Sequence, residues 1–108
     1  MKLKIYESLE NVRENVINSD RFGNAVYAEW IDGNKGLFVV FENYTWVNKN
    51  YMSVSIVAYQ KNGYTEFHFV PAGSGGGYLN IDWGSKDRRV GKLFGLLGTL
   101  DYHYEEME

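Results

Sequence analysis

Between Val26 and Trp83, apolar residues fall at every second position in a series of separate runs: Val26, Ala28 and Trp30; Leu37, Val39 and Phe41; Met52, Val54, Ile56 and Ala58; Phe67 and Phe69; Leu79, Ile81 and Trp83. Residues two apart on an extended chain point to the same side, so this spacing commits the middle of the chain to strands that share one apolar face. The breaks between runs carry turn chemistry. Gly33-Asn34-Lys35-Gly36 and Lys61-Asn62-Gly63 read as hairpin turns, and Gly73-Ser74-Gly75-Gly76-Gly77 separates Tyr64–Val70 from Tyr78–Trp83. Lys2-Leu3-Lys4-Ile5-Tyr6 also alternates and reads as a short edge strand whose lysines discourage edge-to-edge pairing.

Two segments follow a helical period instead. Ser8 stands as an N-cap before Leu9, Val12 and Val16, which share one helix face. Ser85 can cap a second helix whose stripe is Val90, Leu93, Phe94, Leu97, Leu100 and Tyr104, with the acidic residues 105–108 opposing the helix dipole and fraying. Gly91, Gly95 and Gly98 each cost this helix roughly 1 kcal/mol against alanine. Close packing against Trp30 and Trp83, or against a second copy, is the expected compensation; Gly98 is also a candidate helix end. The architecture that follows is α+β: one antiparallel, meander-like sheet of five or six strands, with an N-terminal and a C-terminal helix packed on one face. A chain of 108 residues fits one domain over 1–108.

Composition removes several classes of function. A net charge of −3 gives no basic footprint for a phosphate backbone, so no nucleic acid is expected. The absence of cysteine removes disulfides, thiol catalysis and zinc-thiolate sites, and suits a reducing compartment. Charges interrupt the N-terminal apolar residues, and the apolar run Val90–Leu100 is about half the ~20 residues that a membrane span requires. A cytoplasmic protein without membrane association is the expectation.

The opposite parity of the strands is rich in tyrosine and carboxylate. Tyr27, Phe38, Val40, Tyr51, Val57, Tyr59, Tyr64 and His68 form a candidate interface there, with an apolar centre among the tyrosines that suits homodimerisation. A solvated sheet face of ordinary strand formers accounts for the same residues. Stacking of single-stranded RNA on these rings is disfavoured by Glu29, Glu42, Glu66 and Asp82.

The glycine loop offers backbone N–H groups free of side chains, the raw material of an anion-binding nest. Lys86, Arg88 and Arg89 sit where a helix start disfavours cations, so Gly73, Ser74, Gly75, Gly76, Gly77, Ser85, Lys86, Arg88 and Arg89 form a candidate site for a small anionic ligand. A plain hairpin loop beside solvated cations is the competing explanation. Neither the dinucleotide spacing of glycines nor a Gly-Lys-Ser/Thr phosphate loop is present.

For catalysis the inventory is thin. Glu66, His68, Tyr78 and Asp82 could supply acid-base chemistry, but no nucleophile with its base and orienter can be assembled, and no catalytic residue is assigned. His68 and His103 lie too far apart in sequence to suggest metal ligation, so no metal and no cofactor are expected. The pair of segments Gly73-Ser74-Gly75-Gly76-Gly77 and Asp82-Trp83-Gly84-Ser85 resembles the signature of a small bacterial (Firmicutes-type) protein family of unknown function. That resemblance implies a bacterial cytosolic origin and one α+β domain, and carries over no activity and no site. Two readings stay open: a non-enzymatic binding or interaction module, and a small acid-base enzyme.

Overall fold

The computed structural model describes residues 1–45, 50–73 and 88–107. The elements in order are β1 (Lys2–Ile5), α1 (Leu9–Val12) running into a π turn (Arg13–Ile17), β2 (Asn24–Ile31), β3 (Gly36–Thr45), β4 (Asn50–Gln60), β5 (Thr65–Gly73), α2 (Arg88–Thr99) and β6 (Tyr104–Met107). The strands form one six-stranded sheet in the order β2-β3-β4-β5-β1-β6, and every pairing is antiparallel. The expected strand at 78–83, with Leu79, Ile81 and Trp83, lies outside the described residues.

The central meander follows the parity of the sequence. Leu37, Val39, Phe41, Val54, Ile56, Ala58, Phe67 and Phe69 are buried, and they join Leu3 and Ile5 of β1 in one hydrophobic core. The same core takes Leu9, Val12, Val16 and Ile17 from the first helical segment and Val90, Leu93, Leu96 and Leu97 from α2. Met52, expected inside, is only half-buried. Phe22 enters from the connection before β2 and meets Phe69 edge-on at 5.4 Å.

Local caps explain where α1 starts. The Ser8 hydroxyl accepts from the Asn11 N–H at 3.1 Å, as its position promised. A second free N–H, that of Leu9, donates to Oε1 of Gln60 at 2.7 Å, while Nε2 of Gln60 donates to the Lys61 and Tyr64 carbonyls. One glutamine at the end of β4 thus ties the β4–β5 turn to the helix start. Pro71 sits within β5 opposite Val54, beyond the reach of β1, which pairs only with Thr65–His68. Among the described residues no strand pairs with that side at Pro71, so the missing N–H removes no ladder bond there.

Several expectations are corrected. The Lys2–Ile5 strand is interior, not an edge: it lies between β5 and β6, with Lys4 opposite Glu66 on one side and Glu105 on the other. Residues 104–107 do not fray but form β6. The reason is Asp101, which adopts φ 59 and ends α2. The Tyr102 N–H reaches the Leu97 carbonyl and the Asp101 N–H the Gly98 carbonyl, both at 3.0 Å, the paired bonds of a Schellman stop. Asp101, and not Gly98, is therefore the helix end, and Tyr104 belongs to the strand, its ring stacked on Phe94 at 5.4 Å. Val26, Ala28 and Trp30 are exposed rather than buried, because β2 is an outer strand and the core stops at β3. Finally, Gly91, Gly95 and Gly98 are exposed, and a Cβ at any of them meets nothing within 4 Å among the described residues, so Trp30 does not pack on them; Trp83 lies outside the described residues.

Candidate interaction surface

Cross-strand register turns the second parity of the strands into rows of neighbours. One row reads Glu29, Phe38, Val57, His68, Lys2 and Met107 across all six strands. The row beside it reads Tyr27, Val40, Ser55 and Val70, and the row on the other side Ile31, Gly36, Tyr59, Glu66, Lys4 and Glu105. Phe38, Val40, Val57 and Val70 therefore form an apolar centre on β3, β4 and β5, and the ionisable residues collect on β5, β1 and β6.

Each flank has its own bonding. On the β2 side the Tyr27 and Phe38 rings lie 5.6 Å apart, and the Tyr27 hydroxyl donates to Oε2 of Glu29 at 2.5 Å. That hydrogen bond, reinforced by loss of hydration and the carboxylate charge, raises the Tyr27 pKa above its ordinary value. On the β5 side Nε2 of His68 lies 2.8 Å from Oε2 of Glu66, both side chains being partly buried. The hydrogen bond to His68 lowers the Glu66 pKa; loss of hydration opposes it, and the charges of His68, Lys61 and Lys2 add to it.

The sequence-derived interface residues are brought together in part. Tyr27, Phe38, Val40, Val57, Tyr59 and His68 lie on these rows. Tyr64 lies at the end of the β4–β5 turn, its ring under Nζ of Lys4 at 5.0 Å and 6.1 Å from the Tyr6 ring. The side chain of Tyr51 is outside the described residues. What parity did not supply is the exposed edge strand: Val26, Tyr27 and Trp30 are 54, 47 and 47% exposed, and the Arg13 guanidinium lies over the Trp30 ring at 5.7 Å.

Of the candidate anion ligands, Gly73 ends β5 with φ 86, a conformation that favours glycine, and Arg88 and Arg89 open α2. Ser74, Gly75, Gly76, Gly77, Ser85 and Lys86 lie outside the described residues, as do Tyr78 and Asp82 of the acid-base set. Arg88 is exposed, but Arg89 is buried, and its Nη1 donates to the carbonyls of Ser53 and Ala72 at 2.9 and 2.8 Å. Ser53 and Ala72 face each other across β4 and β5, so the guanidinium bridges two strands.

Among the described residues no group of three or more His, Cys, Asp or Glu is placed to hold a metal ion, and no helix is long and apolar enough to cross a membrane. No curated protein and no solved structure is significantly similar to the chain. A family model does match, over residues 3–98, and on that match the chain belongs to the family of unknown function DUF6054.

Proposed function

We propose that this chain is a non-enzymatic interaction module that associates with a second copy of itself. The observation that carries the reading is where large apolar side chains remain in contact with water. Val26, Tyr27 and Trp30 cluster on the outer strand β2, and Val70 lies in the row that contains Tyr27 and Val40. Scattered apolar residues are normal on a surface, but large apolar side chains exposed on both sides of one outer strand are the pattern of an edge that another chain covers. The shared core of α1, α2 and the inward parity of β3, β4 and β5 supports both helices lying on one face, with the other left to a partner. Light scattering on the purified chain is expected to return twice its 12.5 kDa mass. A monomer at tens of micromolar would overturn the reading.

A second reading, a small enzyme with acid-base chemistry around Glu66, His68, Tyr78 and Asp82, is favoured by one observation, the 2.8 Å contact of Glu66 with His68. It requires that His68→Ala fold normally and lose a measurable turnover. Turnover that survives the substitution would remove His68 from that chemistry.

A further inference from the structure

We propose that the second copy docks at the edge of β2 that no described strand pairs with, by antiparallel pairing of the two β2 strands centred on Ala28, so that two six-stranded sheets become one. The proposal rests on the self-association argued above and names its line of contact. Among the described residues β2 and β6 are the two outer strands of the sheet, and they differ in length and in charge. β6 is four residues long and carries adjacent carboxylates, Glu105 and Glu106. β2 is eight residues long, and Glu29 is its one charged residue. Short, charged edges resist pairing, whereas long, apolar edges invite it.

Symmetry narrows the register. A two-fold axis through an antiparallel pair sets one residue opposite its own copy, and opposed residues share a sheet face. Centred on Glu29, the pair would oppose two carboxylates, which is unfavourable. Centred on Tyr27, it would set Glu29 opposite Ala25 and Trp30 opposite the polar Asn24, and leave Ile31 without a partner in the strand. Centred on Ala28, it sets Glu29 opposite Tyr27 of the second copy and brings Trp30 to Val26. The Trp30–Val26 contact, formed twice about the axis, covers two of the side chains left exposed in the single chain, and Tyr27, which donates to Glu29 at 2.5 Å within one strand, faces the same acceptor across the axis. The shift in β2–β3 register between Ala25 and Tyr27 places a bulge at Val26, so the regular part of the pairing runs over Tyr27–Glu29 and the Trp30–Val26 contact lies at the bulge. β6 has no equivalent solution: centring its pairing on Glu105 or Glu106 opposes like charges. Pairing β2 with β6 of another copy is head-to-tail and does not produce a closed dimer.

The chain has no cysteine, so a single introduced thiol reports the register. Directly opposed residues have Cα atoms about 4.5–5.5 Å apart, within the roughly 4.4–6.8 Å that a disulfide spans. Ala28→Cys is expected to cross-link into a covalent dimer under mild oxidation, and Glu29→Cys at the same concentration to remain largely single on a non-reducing gel. In parallel, the double variant Val26→Lys with Trp30→Lys should scatter light as a monomer with an unchanged circular dichroism spectrum, while Val57→Lys should remain a dimer. Both β2 positions are about half exposed in the single chain, so the lysines leave the core intact. A monomeric wild type defeats self-association and this proposal together. A dimeric wild type that Val57→Lys dissociates, while the β2 lysines leave it intact, keeps self-association and overturns the edge in favour of the sheet face. A dimer in which Ala28→Cys fails to cross-link overturns the register.

Discussion

The Tyr59 ring occupies the space that a side chain at Gly36 would need. A Cβ built at Gly36 would come within 2.7 Å of the Tyr59 ring and 2.7 Å of Cγ1 of Ile31, and Gly36 faces Tyr59 directly in the β3–β4 register. Gly36→Ala is therefore expected to cost about 1–3 kcal/mol, the usual penalty of overpacking a close contact. Urea denaturation checks it: the midpoint should fall in Gly36→Ala, and the added cost of the alanine should be smaller in a Tyr59→Ser background, where only the Ile31 contact remains.

Gly95 presents the reverse case. It lies within α2 and is exposed, and a Cβ added there would meet nothing within 4 Å among the described residues. Gly95→Ala should stabilise the protein by up to about 1 kcal/mol through helix propensity alone. A thermal melt that moves down instead would show that something close to this helix face requires the glycine.

Arg89 and Arg88 are adjacent in sequence and opposite in consequence. Arg89 is buried, with Nη1 on the carbonyls of Ser53 and Ala72, whereas Arg88 is exposed. Arg89→Ala should lower the unfolding free energy by about 1.5–3 kcal/mol, the range for hydrogen bonds to a charged group. Arg88→Ala should stay within about 0.5 kcal/mol of wild type. Equal effects in chemical denaturation would contradict the bridging role.

The interior of the sheet was legible because each of β3, β4 and β5 has neighbours on both sides, so alternation and burial coincide at Val39, Ile56 and Phe67. At β2 the same alternation was present without a layer to cover it, and a pattern of residue types does not say how far a core extends. The interior place of β1 depends on pairings such as Leu3 with Phe67, far apart in sequence, and lies beyond any local signal. The contact of Glu66 with His68 was readable as two positions on one strand face. The task of Arg89 was not, since its two carbonyl partners come from β4 and β5 through tertiary structure.

Glu66 gives stability a pH dependence. Its hydrogen bond to His68, together with the nearby positive charges, lowers its pKa in the folded chain against the opposing loss of hydration. A carboxylate with a lower pKa folded than unfolded adds stability that is present above the unfolded value of about 4.3 and is lost as pH falls through the folded value. Wild type should therefore lose stability relative to Glu66→Gln as the solution is acidified through that window, and the two curves should run parallel above it. A carboxyl resonance of Glu66 that titrates above about 4.3 by NMR would reverse the sign.

β6 lies beyond residue 98, where the family match ends, yet it completes the sheet. It pairs along the whole of β1, the Tyr6 N–H donates to the His103 carbonyl at 2.9 Å, and the Tyr104 ring stacks on Phe94 of α2. Ending the chain after Tyr102 would leave one side of Leu3 and Ile5, both fully buried, without a strand, and would uncover Phe94. The loss of an aromatic pair worth about 0.5–1.5 kcal/mol adds to the lost ladder bonds. The truncated chain should unfold at a clearly lower urea concentration and expose a new, lysine-bearing edge. Tyr104→Ala should reproduce only the part of that loss due to the ring. If truncation left the midpoint unchanged, β6 would be an appendage to β1 and not a part of the cooperative fold.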